Sequence, residues 1–100
     1  MTERQTSTFV VGAEHPSLPG HFPGSPVVPG VVVLDQVLKA AELWGTRSVR
    51  ITGLKQVKFH APLLPAEQAE VALETAGTAL RFQVTREGQL IAQGTFVMAT

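Results

Sequence analysis

The stretch His21-Phe-Pro-Gly-Ser-Pro-Val-Val-Pro-Gly-Val-Val-Val-Leu-Asp35-Gln-Val-Leu-Lys39 decides how the chain folds. Its first part is rich in proline and glycine, so it predicts a stiff, shaped loop whose prolines cannot donate backbone hydrogen bonds. A nearly unbroken apolar run follows Gly30 and ends at Gly45, a residue that suits the C′ position of a helix. The sequence therefore predicts a helix over about 31–44, and its mostly apolar faces indicate that this helix is buried.

Strand patterns lie on both sides of this helix, because apolar and polar residues alternate there. The second predicted strand changes phase at Gly53 and Leu54, which indicates a β-bulge. Residues 1–7 are polar, and we expect them to fray outside the sheet. The predicted strands are Thr8–Val11, Ser48–Phe59, 69–74, 80–85 and Leu90–Met98, with a hairpin turn at 86–89. Short connections after the helix favour an antiparallel sheet with the helix on one face, an α+β architecture.

The composition limits the classes of function. A chain of 100 residues with 44% hydrophobic content suffices for a single domain, 1–100. Eight basic and eight acidic residues cancel, so no basic field exists for nucleic acid or an anionic membrane. The absence of cysteine excludes disulfides, thiol catalysis and Cys-based metal sites. The polar N-terminus and the lack of a long apolar run predict a soluble cytoplasmic protein.

The frame from His21 to Asp35 resembles the signature of the β-hydroxyacyl-(acyl carrier protein) dehydratases of the hot-dog fold. Several matched positions at fixed spacing make this signal far more specific than a lone histidine. The later stretch Lys58–Gln68 is similar to a second segment of that family, a strand followed by a Pro-containing turn. The resemblance implies an antiparallel sheet wrapped around one long central helix, in agreement with the α+β pattern.

Dehydration of a 3-hydroxyacyl thioester needs a base for the C2 proton, a proton donor for the 3-hydroxyl and stabilisation of charge on the thioester oxygen. The resemblance implies that His21 is the base and that Asp35 holds or protonates the leaving hydroxyl. Backbone N–H groups of Gly30 and Val31, at the positive end of the helix, would receive the thioester carbonyl. The alternative is that His21 merely caps the loop and that Gly30 is an ordinary helix start.

Lys39 complicates the role of Asp35. A buried carboxylate without a partner costs several kcal/mol, so Asp35, placed deep in an apolar surface, must be hydrogen-bonded, paired, protonated or near solvent. One alternative is an i,i+4 ion pair with Lys39 on the wet side of the helix, which contributes about 0.3–0.5 kcal/mol. The family usually has glutamine at this position. An ammonium there favours the ionised carboxylate and opposes the acid role, unless Lys39 extends toward solvent.

The resemblance also implies partners. In that family the histidine and the acid come from different subunits, which predicts a homodimer, a heterodimer with a hot-dog relative, or a higher oligomer. The substrate would be a 3-hydroxyacyl group on acyl carrier protein, without a metal or an organic cofactor. Four basic residues could meet that carrier or form an ordinary solvated face: Arg47, Arg50, Lys55 and Lys58. Four apolar residues could contact the acyl chain or simply pack in the core: Val33, Val37, Leu38 and Phe59.

Two other functions stay open. A non-catalytic hot-dog subunit, which binds acyl groups or pairs with a catalytic relative, is suggested by Lys39 and by a chain shorter than usual for the family. An acyl thioesterase on the same fold would use a helix acid with water, but it has no need for the His-Phe-Pro-Gly loop. The intact frame from His21 to Asp35 favours the dehydratase, in fatty-acid synthesis or a related lipid or polyene pathway.

Overall fold

The computed structural model describes residues 4–12, 27–44 and 50–99. This part of the chain contains β1 (Arg4–Val10), α1 (Gly30–Glu42), β2 (Ile51–Phe59), β3 (Gln68–Ala76), β4 (Ala79–Arg86) and β5 (Gln89–Met98). The strands form one antiparallel sheet in the order β1-β3-β4-β5-β2, so β1 and β2 are its edges. This arrangement confirms the predicted antiparallel sheet with one helix.

The core lies between α1 and the inner face of the sheet. Buried helix residues repeat at intervals of four, at Val33, Val37 and Ala41. Opposite them, the rings of Phe82 and Phe96 stack with centroids 5.1 Å apart. Because β-branched valines are poor helix formers, burial of this face, more than intrinsic propensity, stabilises the helix.

The turns and the bulge are also where the sequence predicts them. Glu87 and Gly88 join β4 to β5 with φ angles of 49° and 81°, the left-handed pair that a tight hairpin turn requires. The pairing of β2 with β5 shifts register between Ile51 and Gly53 and again between Leu54 and Gln56. These shifts confirm the predicted bulge near Gly53.

Three predictions about the ends and faces of these elements are wrong. The first strand begins at Arg4, because backbone pairing with β3 extends to Arg4 and Glu74 and needs no apolar side chains. The helix ends at Glu42, with Leu43 as its C-cap, and the expected C′ residue Gly45 lies outside the described residues. The helix is not buried on most faces, since Val31 and Leu43 are 73% and 82% exposed. Nowhere in the described ranges is a helix long and apolar enough to cross a membrane.

Candidate active site

The N-terminus of α1 presents two backbone donors that find no acceptor within residues 4–12, 27–44 and 50–99. Its N-cap, Pro29, makes no side-chain hydrogen bond, and no acidic residue occupies the first turn. Val32 and Val33 both donate to the Pro29 carbonyl oxygen, at 3.0 and 3.2 Å. The N–H groups of Gly30 and Val31 have no acceptor among the described residues. Since the helix dipole is positive at this end, the two donors can receive a carbonyl or an anionic oxygen.

The ring of Phe59 lies against this helix end. A Cβ added at Gly30 would stand 2.7 Å from the Phe59 Cζ atom, so only glycine allows the ring to approach this closely. Phe59 is 51% exposed, and the neighbouring Val31 side chain is also open to solvent. An exposed apolar surface therefore adjoins two donors that have no acceptor in the described part of the chain, a combination that fits an acyl group with a carbonyl at its end. The role of Phe59 as an acyl contact remains a prediction.

Asp35 lies one helical turn after Val31. Its side chain is 55% exposed, and its Oδ2 atom is 3.2 Å from the Nζ atom of Lys39, which is 61% exposed. The i,i+4 ion pair is therefore the alternative that the structure forms. The interpretation of Asp35 as deep in an apolar surface is wrong for the single chain, because the sheet does not cover this side of the helix. A solvated pair of this kind contributes only about 0.3–0.5 kcal/mol, so another partner can replace it easily.

One face of α1 is exposed in the described part of the chain. Four side chains at intervals of four residues define this line, which we call the exposed stripe: Val31, Asp35, Lys39 and Leu43. The edge strand β2 adds two exposed apolar side chains, Leu54 and Phe59. Exposed apolar residues and a sheet edge that pairs with no further strand among the described residues are typical of a protein interaction surface.

The other predicted site residues have different environments. Val33 and Val37 are buried in the core, and Leu38 packs partly against it, so their proposed contact with an acyl chain stays a prediction. His21 and Arg47 lie outside the described residues. Among the residues that the structure describes, no group of three or more histidine, aspartate or glutamate side chains could hold a metal ion.

A polar cluster joins the turn after β2 to the β4–β5 hairpin, and we call it the Arg86 clamp. Nη1 of Arg86 donates to Glu67 Oε1 at 2.7 Å and to the Pro62 carbonyl at 3.2 Å, while Nη2 donates to Gln89 Oε1 at 2.6 Å. The same Glu67 oxygen accepts from the Leu64 N–H at 2.9 Å. That backbone hydrogen bond lowers the pKa of Glu67, partial burial opposes the shift, and Arg86 lowers the pKa further.

The sequence alone does not predict the Arg86 clamp. Arg86 is 19 positions from Glu67 and 24 from Pro62, and no local periodicity connects residues that far apart. The only signal in the sequence is an acidic residue directly after a Pro-containing turn, which is compatible with many other structures.

Comparison with known proteins identifies similar sequences. The sequence model of the ApeI-like family, described as ApeI dehydratase, matches residues 1–95. The 3-hydroxyacyl-[acyl-carrier-protein] dehydratase FabZ of Haemophilus influenzae is 31% identical over 72 residues, which are 64% of this chain and 49% of that protein. The FabZ of Erwinia tasmaniensis is 29% identical over 103 residues, 89% of this chain and 68% of that protein. The chain thus spans about half the length of the Haemophilus relative.

Solved structures share the fold. The dehydratase heterocomplex ApeI:P from Xenorhabdus doucetiae superposes with a TM-score of 0.85 at 21% identity, over 100% of this chain and 95% of that one. A mutant of the fluoroacetyl-CoA-specific thioesterase FlK gives a TM-score of 0.71 at 19% identity, over 97% of this chain and 84% of that one. These neighbours confirm the predicted hot-dog fold, a single helix against an antiparallel sheet.

Proposed function

The chain belongs to the ApeI-like family of hot-dog dehydratases, and from this premise we propose that it removes water from 3-hydroxyacyl thioesters on acyl carrier protein, giving trans-2-enoyl thioesters. The reaction would serve fatty-acid synthesis or a related lipid or polyene pathway in the cytoplasm. One observation carries the proposal: the N–H groups of Gly30 and Val31, which have no acceptor among the described residues, adjoin the exposed ring of Phe59. Donors in this position can stabilise the charge that develops on a thioester oxygen.

The proposed mechanism assigns one task to each group. The imidazole of His21 takes the C2 proton, and the electron pair of that C–H bond moves toward the thioester carbonyl. The N–H groups of Gly30 and Val31 hold the resulting negative oxygen. As the pair returns to form the C2–C3 double bond, the C3–O bond breaks and Asp35 gives its proton to the leaving hydroxyl, which departs as water. Proton exchange through solvent then restores His21 and Asp35.

A turnover assay tests the proposal. The substrates are 3-hydroxyacyl thioesters of graded chain length, on carrier protein and on a pantetheine mimic. We expect the absorbance of an enoyl thioester and a product lighter by one water. His21→Ala should abolish turnover, whereas His60→Ala, which removes an imidazole hydrogen-bonded to Gln93 at 3.1 Å, should retain it. Undiminished turnover of His21→Ala would contradict the mechanism.

We also propose that the active unit is a dimer in which a second subunit covers the exposed stripe. The support is the exposed helix face and the edge strand β2, together with the heterocomplex formed by the ApeI:P neighbour. The partner is a second copy or a hot-dog relative. In a homodimer, His21 of one chain would act with Asp35 of the other, and in a heterodimer each would act with the corresponding residue of the relative.

A complementation experiment tests the shared site. His21→Ala and Asp35→Asn proteins, each inactive alone, are unfolded together and refolded as a mixture. Every mixed dimer then contains one intact site, so random pairing should restore about one quarter of wild-type activity. If mixed dimers form but the mixture stays inactive, the His21 and Asp35 of one site come from the same chain, or neither residue belongs to the site.

Lys39 provides a further test of the role of Asp35. Lys39→Gln removes the ammonium that lies 3.2 Å from the carboxylate. If Lys39 only favours the ionised form of Asp35, this variant should preserve or raise turnover. A large loss of turnover would show that Lys39 takes part in the reaction or in subunit contact.

The ion pair of Asp35 also supports a second candidate function, a non-catalytic subunit that pairs with a catalytic relative. In such a subunit the Asp35 carboxylate would remain in its ion pair with Lys39. The same assay separates the candidates, because a folded dimer without turnover favours the non-catalytic subunit. Release of free acid in place of an enoyl product would indicate a thioesterase.

A further inference from the structure

The exposed stripe lies on the side of α1 that faces away from the sheet. Successive residues of an α-helix point about 100° apart, so side chains two positions apart point in nearly opposite directions. Val33 and Val37 are buried against the sheet, whereas Val31 and Asp35, two positions before them, are exposed. The sheet of the same chain therefore cannot cover the stripe without losing its contact with Val33 and Val37.

The chemical order of the stripe is symmetric along the helix. An apolar side chain stands at each end, Val31 and Leu43, and an acid and a base, Asp35 and Lys39, occupy the positions between them. Both pairs have their midpoint at position 37. A two-fold axis at that point would place Val31 against the partner's Leu43 and Asp35 against the partner's Lys39. Each contact would occur twice, because a two-fold interface uses the same surface of both chains.

The charges favour this alignment over the neighbouring ones. A two-fold axis at position 35 would bring the two Asp35 carboxylates together, and an axis at position 39 would bring the two Lys39 ammoniums together. Like charges that face each other across an interface are strongly unfavourable. Parallel helices have the same defect, because each charged residue then faces its own copy. Antiparallel helices centred on position 37 are the arrangement that gives opposite charges at both central contacts.

The spacing of the stripe also suits the packing of two helices. Side chains at intervals of four residues form ridges, and two such ridges fit beside each other when the helix axes cross at about 50°. The row next to the stripe contains Leu34 and Leu38, which are only partly buried in the single chain. The ridge of a second copy would cover these leucines, and burial of apolar surface stabilises a subunit contact.

We propose that a second copy of this chain covers the exposed stripe, with the two helices antiparallel about a two-fold axis at position 37 and Asp35 of each copy paired with Lys39 of the other. The inference rests on the proposed function, in which a second subunit covers this stripe, and it specifies that subunit and its alignment. The pair within one chain is solvated at 3.2 Å, so it is weak enough to exchange for the pair between chains.

Charge reversal tests the alignment, with analytical ultracentrifugation of the full chain as the measurement. Asp35→Lys leaves two bases in the stripe and Lys39→Asp leaves two acids, so each variant should repel its own copy. We expect the dissociation constant of the dimer to rise by about tenfold or more in each variant. An equimolar mixture of the two variants should form mixed dimers with about the wild-type affinity, because opposite charges then meet at both central contacts.

Arg81→Glu is the matched control for charge reversal. Arg81 is an exposed base on β4, outside the stripe, and its ion pair with Glu74 is 3.9 Å long. Its reversal should leave the dissociation constant of the dimer within about twofold of the wild-type value. Circular dichroism establishes that each variant is folded before its assembly is measured.

A second readout uses the absence of cysteine from the chain. Val31→Cys and Leu43→Cys each introduce one thiol, at opposite ends of the stripe. The proposed alignment places position 31 of one copy beside position 43 of the other. A short bismaleimide should therefore join a mixture of the two variants about tenfold faster than either variant alone. Both substitutions replace exposed side chains, so this readout decides the question if a charge variant does not fold.

The outcomes separate this inference from the proposed reaction. A wild-type chain that stays monomeric in the turnover assay refutes the second copy, even if it dehydrates substrate. The alignment is refuted if Asp35→Lys and Lys39→Asp dimerise as the wild type does, if their mixture stays monomeric, or if the mixed thiols react no faster. Dimers with the expected charge and cross-linking behaviour but without turnover support the alignment and contradict the dehydratase.

Discussion

Replacing Gly30 with alanine should lower the activity and change the stability only slightly. The new Cβ would lie 2.7 Å from Cζ of Phe59, which is closer than two carbon atoms can approach, so the ring must move. The ring can rotate away, because it forms the far end of a side chain that is 51% exposed. The methyl group itself then stands beside the N–H groups of Gly30 and Val31, where the proposed thioester carbonyl binds.

The cost in stability is small. Full burial of a phenylalanine side chain is worth about 1.5–3 kcal/mol, so the half-buried Phe59 can lose about 1 kcal/mol. Alanine recovers part of this loss, because glycine is about 0.8–1.0 kcal/mol less favourable than alanine inside a helix. We expect a net change below about 1 kcal/mol, or a shift in Tm of less than about 8 °C. Loss of one oxyanion donor typically costs about 100-fold or more in kcat.

Thermal unfolding and the turnover assay measure the two effects on the same protein. Gly53→Ala is the matched control, since a Cβ at Gly53 would have no atom within 4 Å. We expect Gly30→Ala to lose about 100-fold in kcat and to unfold near the wild-type temperature. Wild-type kcat would refute the role of this helix end, and a large fall in Tm would refute the argument that Phe59 can move.

Three further predictions concern stability. Gly94→Ala places a Cβ against the Gln56 carbonyl and 2.7 Å from the buried Phe82 ring, so urea unfolding should show a loss of about 3 kcal/mol; a wild-type midpoint would contradict the rigidity of this contact. Ala66→Gly relieves the positive φ and should stabilise the protein by about 0.5–1 kcal/mol; destabilisation in the same measurement would show that the conformation carries no strain. The lowered pKa of Glu67 adds stability that is complete above its ordinary value of 4.5 and is lost as the pH falls through the lowered value. The stability difference between wild type and Glu67→Gln should therefore shrink on acidification, and a constant difference between pH 6 and about 3 would contradict this.

The sequence predicts the fold because its strongest signals are local. An apolar run between Gly30 and Gly45 is sufficient for a helix, and alternation with short turns is sufficient for an antiparallel sheet. The polar start of β1 is not predicted, because Arg4 joins the sheet through its backbone. The Arg86 clamp is not predicted either, because Arg86 and Glu67 meet only in the folded chain.

The periodicity of the sequence also does not predict which face of the helix is exposed. The pattern shows which side chains of α1 are apolar, but the sheet covers only the side of Val33 and Val37. The uncovered side contains Asp35, whose environment depends on whatever lies over the exposed stripe. A single sequence therefore identifies the candidate acid without establishing its surroundings.

If Asp35 is the proton donor that we propose, its environment in the active protein must differ from that in the isolated chain. A carboxyl that donates a proton near neutral pH needs apolar surroundings, and here it is 55% exposed beside the ammonium of Lys39. A subunit that covered both would remove their water, and a desolvated ion pair costs several kcal/mol unless further hydrogen bonds satisfy it. Lys39 must then extend to solvent or bind a group on the partner. If Lys39→Gln raises turnover in the dimer, the ammonium still lies near Asp35 and opposes the acid, whereas unchanged turnover would mean that Lys39 extends to solvent. If it dissociates the dimer, Lys39 belongs to the interface, and Asp35 gains its apolar surroundings only when the second subunit binds.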